Sequence, residues 1–209
     1  MTEKIVFDLV RSKSWEQLIR TVPPEQVVDN MTFVGALKVA YQILIPKTQE
    51  KERRKYGFAI ADLLFRIRET EMNTSWKHYA LLGHLYTVYP EYVDEHYLAY
   101  KRAMDLADNP PPRLLIEMAR CCQIPGFRRL PTIEALEFAK QAIQGYLFVD
   151  GVKLLCEIYA ERDEGQQLAH WKDIYDSIKD TNQESHPILP RYIYEEITDA
   201  DFYGTLASG

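Results

Sequence analysis

Residues 76–110 read WKHYALLGHLYTVYPEYVDEHYLAYKRAMDLADNP and hold two helical patterns separated by a proline. Small and apolar residues recur at helical spacing in both halves, as Leu82-Gly83-x-x-Tyr86 and as Tyr100-x-x-Ala103. Gly83 and Ala103 are small enough to let two helices approach closely, while Leu82, Tyr86 and Tyr100 fill the space between them. The stretch therefore predicts one helix–turn–helix hairpin.

Helical periodicity continues on both sides of this hairpin, over most of residues 1–180. Glycine is scarce, with 9 residues, and β-branched runs are few, which favours helices over strands. We therefore expect an all-α fold of about ten helices. Outside the hairpin the predicted helices cover about Glu3–Arg11, Ser14 to the stop at Pro23-Pro24, Met31–Ile45, Gln49–Thr70, Arg113–Cys122, Ile133–Tyr146, Gly151–Arg162 and Gln166–Lys179.

The 76–110 hairpin, which closes at Asn109-Pro110, resembles the tetratricopeptide repeat. The hairpins that start at Arg113 and at Asp150 resemble the repeat loosely. The chain departs from the family pattern at His96, where the family usually has alanine, and at the loop Ile124–Pro131, where it has a tight turn. The resemblance covers about half of the chain and implies an α-solenoid of stacked antiparallel hairpins, which we expect over residues 1–180. The alternatives are another kind of helical-hairpin stack or an irregular helical bundle.

In this family the first helix of each hairpin lines a concave groove that binds partners. The resemblance therefore implies a partner-binding groove lined by Lys77, His84, Thr87, Arg113, Arg120, Gln123, Lys153 and Glu157. The alternative is that these residues are solvated faces of amphipathic helices. The lysine–asparagine clamp with which some members hold a terminal carboxylate is absent, because its positions hold Ala80 and His84, then Ile116 and Arg120.

Charge is unevenly distributed along the chain, whose formal net charge is −6. Residues 181–209 form an acidic, aromatic C-terminal tail that we expect to be extended or docked on the helices. Five of the eight groove residues are basic or can become positive, so we expect a mildly positive groove that receives an acidic protein or peptide segment. The tail itself is a candidate to cover that groove. The nearly neutral helical part argues against nucleic-acid binding, and RNA binding is a lesser alternative.

The chain contains none of the motifs that signal common catalytic or cofactor chemistry. The five histidines have no metal-binding spacing, no CxxC pair is present, and glycine-rich phosphate loops and nucleophile elbows are missing. We expect Cys122 to be packed in the core, because it shares an apolar stripe with Met118 and Ala119. Arg128 and Arg129 lie in a proline–glycine loop and are the best-placed pair for a phosphate or carboxylate contact.

These observations predict a protein without catalytic residues, metal or cofactor, which acts as an adaptor, co-chaperone or inhibitor through a helical groove. Two narrower versions are a bacterial secretion chaperone, with an apolar groove, and a toxin-immunity protein, with charged and aromatic contacts. An enzyme whose active site is assembled from scattered residues is the alternative from another class. The sequence leaves the oligomeric state open.

Three cysteines, an odd and low count, indicate a reducing compartment. The first residues lack the features of a secretory signal, and no apolar stretch reaches the ~18–20 residues that a membrane span needs. We therefore expect a cytoplasmic protein without a membrane partner.

Overall fold

The fold is all helical in the computed structural model, which describes residues 3–44, 51–67, 75–87, 92–124, 130–145 and 147–180. These residues form eleven α-helices and one 3₁₀ turn, and none of them lies in a strand. The helices are α1 Glu3–Arg11, α2 Trp15–Thr21, α3 Pro24–Asn30, α4 Phe33–Leu44, α5 Lys51–Arg66, α6 Trp76–Thr87, α7 Val93–Leu106, α8 Pro112–Arg120, α9 Thr132–Ile143, α10 Val149–Glu161 and α11 Gly165–Ile178. The predicted tail and the Arg128–Arg129 pair lie outside the described residues.

Helices that are neighbours in the chain pack most extensively on each other. From α4 onward they pair as α4 with α5, α6 with α7, α8 with α9 and α10 with α11. Consecutive pairs also touch, through α4 and α6, α7 and α8, and α9 and α10. One set of buried apolar side chains extends from Val6 in α1 to Tyr159 in α10, so these helices share a core.

The α6–α7 pair is built as the sequence predicts. A Cβ atom at Gly83 would lie 2.8 Å from Cδ1 of Tyr100, so only glycine lets α6 approach the Tyr100 ring this closely. Leu82, Tyr86, Tyr100 and Ala103 are all buried. This confirms the prediction that small residues let the two helices approach closely and that large residues fill the space between them.

Aromatic side chains join this hairpin to α5. The rings of Phe58 on α5 and Tyr92, just before α7, stack with centroids 3.9 Å apart. The hydroxyl of Tyr86 donates a hydrogen bond of 2.9 Å to Oδ1 of Asp62. Stacked rings and a bond to an ionised carboxylate both resist sliding, so α5 fixes the position of the hairpin.

The prediction of about ten helices misses α3. Pro23-Pro24 is predicted only to end α2, but Pro24 is the first residue of α3. Proline suits that position because a helix leaves its first N–H groups unbonded anyway. The Tyr56 hydroxyl donates to the carbonyl of Val22 at 2.7 Å, and this buried bond holds the α2–α3 junction against α5.

The connections α1–α2 and α10–α11 share one turn geometry. Lys13 and Asp163 have positive φ values of 54° and 57°. The next amide in each case, of Ser14 and of Glu164, bonds back to a carbonyl five residues earlier. This is the Schellman arrangement, which ends a helix abruptly and permits a tight reversal. The last hairpin therefore turns at Asp163, and Gly165 begins α11.

No helix in the described part of the chain is long and apolar enough to cross a bilayer.

Candidate functional site

The predicted groove residues lie on the first helices of three successive pairs. Lys77, His84 and Thr87 are on α6, Arg113 and Arg120 are on α8, Gln123 is in the 3₁₀ turn that follows, and Lys153 and Glu157 are on α10. The structure brings the residues of α8 and α10 together through ion pairs and hydrogen bonds.

Arg113 is the centre of this arrangement. Its side chain is only 13% exposed, and its Nη1 donates to Oδ2 of Asp150 at 2.8 Å. Its Nε lies 2.9 Å from Oε1 of Glu117. The two groups form an ion pair, but their relative orientation is not that of a hydrogen bond. Because Asp150 is in the first turn of α10, the guanidinium ties α8 to α10.

Weaker contacts surround this centre. Arg120 lies 3.8 Å from Glu117 and 3.9 Å from Asp150, measured between charged nitrogen and oxygen atoms. Nε2 of Gln123 donates to Glu157 at 3.1 Å, and Lys153 lies 3.9 Å from the same carboxylate. We call these seven residues the Arg113 cluster: Arg113, Glu117, Arg120, Gln123, Asp150, Lys153 and Glu157.

The charges within the Arg113 cluster balance. Arg113, Arg120 and Lys153 supply three positive charges, and three carboxylates face them. The prediction of a positive groove counted the basic residues but left out the negative charges of Glu117 and Asp150. Pairs in which both side chains are well exposed contribute about 0–1 kcal/mol, so a partner's carboxylate can replace the internal partner of Lys153 at little cost.

His84 is half-buried beside the cluster and is stacked on Tyr41 of α4, with ring centroids 6.2 Å apart. Burial, reinforced by the positive charge of Arg113, lowers the pKa of His84 to about 4. The imidazole is therefore neutral at pH 7 and adds no positive charge to the predicted groove.

Lys77 and Thr87 occupy the two ends of α6. The Lys77 ammonium lies 5.9 Å from the centre of the Trp76 ring, and seven residues, about 10 Å along the helix axis, separate Lys77 from His84. Thr87 is exposed, and its hydroxyl donates to the carbonyl of His84 at 2.7 Å. These contacts are local to α6.

The burial of one polar side chain, that of His96, was not predicted. His96 on α7 is 7% exposed, with Nε2 3.7 Å from Sγ of Cys121 and its ring edge-on to Tyr100 at 4.8 Å. Burial, with a smaller contribution from His84, lowers the pKa of His96 to about 4. Position 96 therefore holds a buried, neutral imidazole that fills the space beside Tyr100 and Cys121.

The cysteine pair is oriented differently from the prediction, because Cys121 is buried and Cys122 is half-buried. The α-helix ends at Arg120 and tightens into the 3₁₀ turn Cys121–Gln123, which rotates each residue further around the axis. Burial raises the pKa of both thiols, that of Cys122 to about 11. Both are protonated at pH 7, which makes them poor nucleophiles and poor metal ligands.

Among the residues that the structure describes, no group of three His, Cys, Asp or Glu side chains could hold a metal ion. No family model, no curated protein and no solved structure matches the chain.

Proposed function

We propose that this chain is a non-catalytic protein-interaction module that holds a peptide or protein segment against the first helices α4, α6, α8 and α10. We define the first-helix face as the Arg113 cluster together with Tyr41 and His84. The proposal includes a tetratricopeptide-like solenoid of antiparallel hairpins. The pairing of helices that are adjacent in the chain, and the contacts between consecutive pairs, support that arrangement.

One observation carries the proposal: side chains from four first helices interact in order. Tyr41 of α4 stacks on His84 of α6, His84 experiences the charge of Arg113 on α8, and Arg113 binds Asp150 of α10. This order of interactions supports an arrangement in which the four helices lie side by side. A row of helices presents an extended polar and aromatic surface, which suits a segment lying across several of them.

The chemistry of this face favours a partner segment with acidic side chains. Arg120 and Lys153 are 39% and 60% exposed, and their ion pairs are long, at 3.8–3.9 Å. Exchanging such an ion pair for one with a partner's carboxylate costs little free energy. Arg113, by contrast, is held too firmly by its own ion pairs to bind a partner. Arg120 and Lys153 are therefore the cations that we expect to contact the partner.

Of the two narrower versions, the toxin-immunity or inhibitor role is better supported than the secretion chaperone. A chaperone that keeps an unfolded segment soluble needs exposed apolar side chains in its groove. The first-helix face instead offers ion pairs, an amide, an imidazole and a tyrosine ring. We also place the protein in the cytoplasm, which the three free thiols support.

Site-specific photocrosslinking in the full chain tests the proposal. A photoreactive side chain is placed at Arg120 or Glu157 on the first-helix face, or at the exposed Lys101 of α7 or Lys140 of α9 as matched controls on second helices. After expression in the native host, we expect the first-helix positions to capture a common protein that the controls do not. Equal capture from both sets contradicts the proposal.

A charge-reversal pair then tests the recognition chemistry. Arg120→Glu should weaken binding of the captured protein at least about tenfold, since a favourable charge contact becomes a repulsive one. Lys140→Glu changes the net charge equally on α9 and should leave the affinity unchanged. If the two variants weaken binding to the same extent, bulk charge and not the first-helix face explains the affinity.

A further inference from the structure

An apolar depression of about 290 Å³ lies between α10 and α11. Apolar atoms provide nearly all of its surface, and its floor is formed by Cys156, Ala160, Leu168 and Tyr175. In the α4–α9 part of the fold, each helix pair is followed by another pair that packs on it, whereas α11 is the last helix described. The depression is thus an apolar surface at the end of the row of helices.

The rim of the depression is charged. Lys153 and Lys172 lie on opposite helices at its edge, and Glu157 is near Lys153, with 3.9 Å between their charged atoms. The charge of Lys172 also reaches Cys156, where it opposes the effect of burial on the thiol pKa. An apolar floor between two lysines suits a ligand with apolar or aromatic side chains and nearby carboxylates.

The chain itself contains such a segment close by. Residues 192–197 read Tyr-Ile-Tyr-Glu-Glu-Ile, and Asp199 and Asp201 follow. Leu168 is ten residues before the end of α11, a distance of about 15 Å along the axis. The twelve residues from Thr181 to Tyr192 can span up to about 40 Å, so the segment can return to the depression without strain.

We propose that residues 192–197 dock in the depression between α10 and α11. Their aromatic and aliphatic side chains cover the apolar floor, and Glu195 and Glu196 approach Lys153 and Lys172. A tether of this length gives an effective concentration of about 1 mM, so a contact with a dissociation constant of about 0.1 mM is formed about nine-tenths of the time. This inference does not depend on the first-helix face binding a partner.

Cys156 provides the test, because its half-buried thiol lies in the floor that the segment would cover. The full-length protein is treated with iodoacetamide, and alkylation of each cysteine is followed by mass spectrometry. Cys122 is also half-buried but does not line the depression, so its rate is the internal reference. The substitutions used here are confined to the tail and replace no residue of the described helices.

We expect Tyr194→Ala/Ile197→Ala to raise the Cys156 rate about tenfold, since the floor changes from about nine-tenths covered to open. Glu195→Lys/Glu196→Lys should raise it as well. The control Phe202→Ala/Leu206→Ala removes apolar tail side chains outside the segment and should match the wild type. The Cys122 rate should stay constant in every variant.

Two results would overturn the proposal. Unchanged alkylation of Cys156 in both segment variants means that the segment does not cover the floor. If the wild-type protection disappears on hundredfold dilution, a second copy of the chain is the occupant, because an intramolecular contact is independent of protein concentration.

Discussion

The ring of Tyr100 on α7 lies directly over Gly83 on α6. A methyl group added at position 83 would lie only 2.8–3.0 Å from three carbons of that ring. Tyr100 is fully buried and cannot swing away. This contact fixes the separation of the two helices in the hairpin.

Replacement of Gly83 by alanine should therefore destabilise the protein. Overpacking of this kind costs roughly 1–3 kcal/mol, and the better helix propensity of alanine returns only about 1 kcal/mol. Gly165→Ala is the matched control, since it is also helical and a Cβ there would meet nothing within 4 Å. Urea unfolding should show a lower midpoint for Gly83→Ala and an equal or higher one for Gly165→Ala. Equal stability of the two variants would mean that the helices separate at no cost.

Tyr100 and Tyr86 should respond differently to loss of the hydroxyl. The Tyr100 hydroxyl is buried without a hydrogen-bond partner in the described part of the chain, whereas that of Tyr86 donates to Asp62. An unmade buried hydrogen bond costs about 1–3 kcal/mol, so Tyr100→Phe should preserve or increase the free energy of unfolding. Tyr86→Phe should lower it by about 1–2 kcal/mol. Thermal and urea unfolding check the pair, and a larger loss in Tyr100→Phe would contradict the assignment.

His96 should make stability depend on pH below neutrality. Its pKa is about 4 in the folded protein, whereas that of an unperturbed histidine is 6.5, so the unfolded chain binds more protons between these pH values. The free energy of unfolding therefore falls as the pH is lowered from about 6.5 to 4, by up to about 3 kcal/mol for this residue. His96→Gln should lose this part of the pH dependence. Urea unfolding at a series of pH values measures the difference, and parallel pH profiles of the two proteins would refute it.

Arg113 should be more important for stability than an exposed cation. Arg113→Met keeps the apolar stem but leaves Glu117, itself 16% exposed, without its nearest cation. The expected loss is roughly 1–3 kcal/mol, between the values for exposed and buried pairs. Lys140→Met removes an exposed pair with Glu137, 3.3 Å apart, and should cost at most about 0.5 kcal/mol. Similar melting temperatures for the two variants would show that Arg113 is not held as the geometry indicates.

The sequence predicted those features that depend on spacing within one helix. The helical periodicity located α4 to within two residues, because Val34, Leu37, Ala40 and Leu44 repeat at helical intervals. Gly83 and Ala103, two small residues within the helical patterns of α6 and α7, likewise identified the close contact between these helices. The stacked arrangement as a whole and the binding role remain predictions.

The features that were not predicted from the sequence depend on contacts between helices. Arg113 and Asp150 are 37 residues apart, and no local pattern links them. Glu117, by contrast, is four residues after Arg113 and three before Arg120, so its pairing was available from the sequence. His96 is covered by Cys121, which comes from the turn after α8, 25 residues further along the chain, and a single sequence does not reveal that contact.

From α4 onward the helices pack mainly on their neighbours in the chain, and this has a kinetic consequence. Contacts between near neighbours require only short loops to close, which keeps the entropic barrier low and the rate of folding high. We expect the amino-terminal helices to assemble while the ribosome is still translating the carboxyl-terminal ones. For the same reason, one end of the molecule can unravel transiently while the other end keeps its native packing.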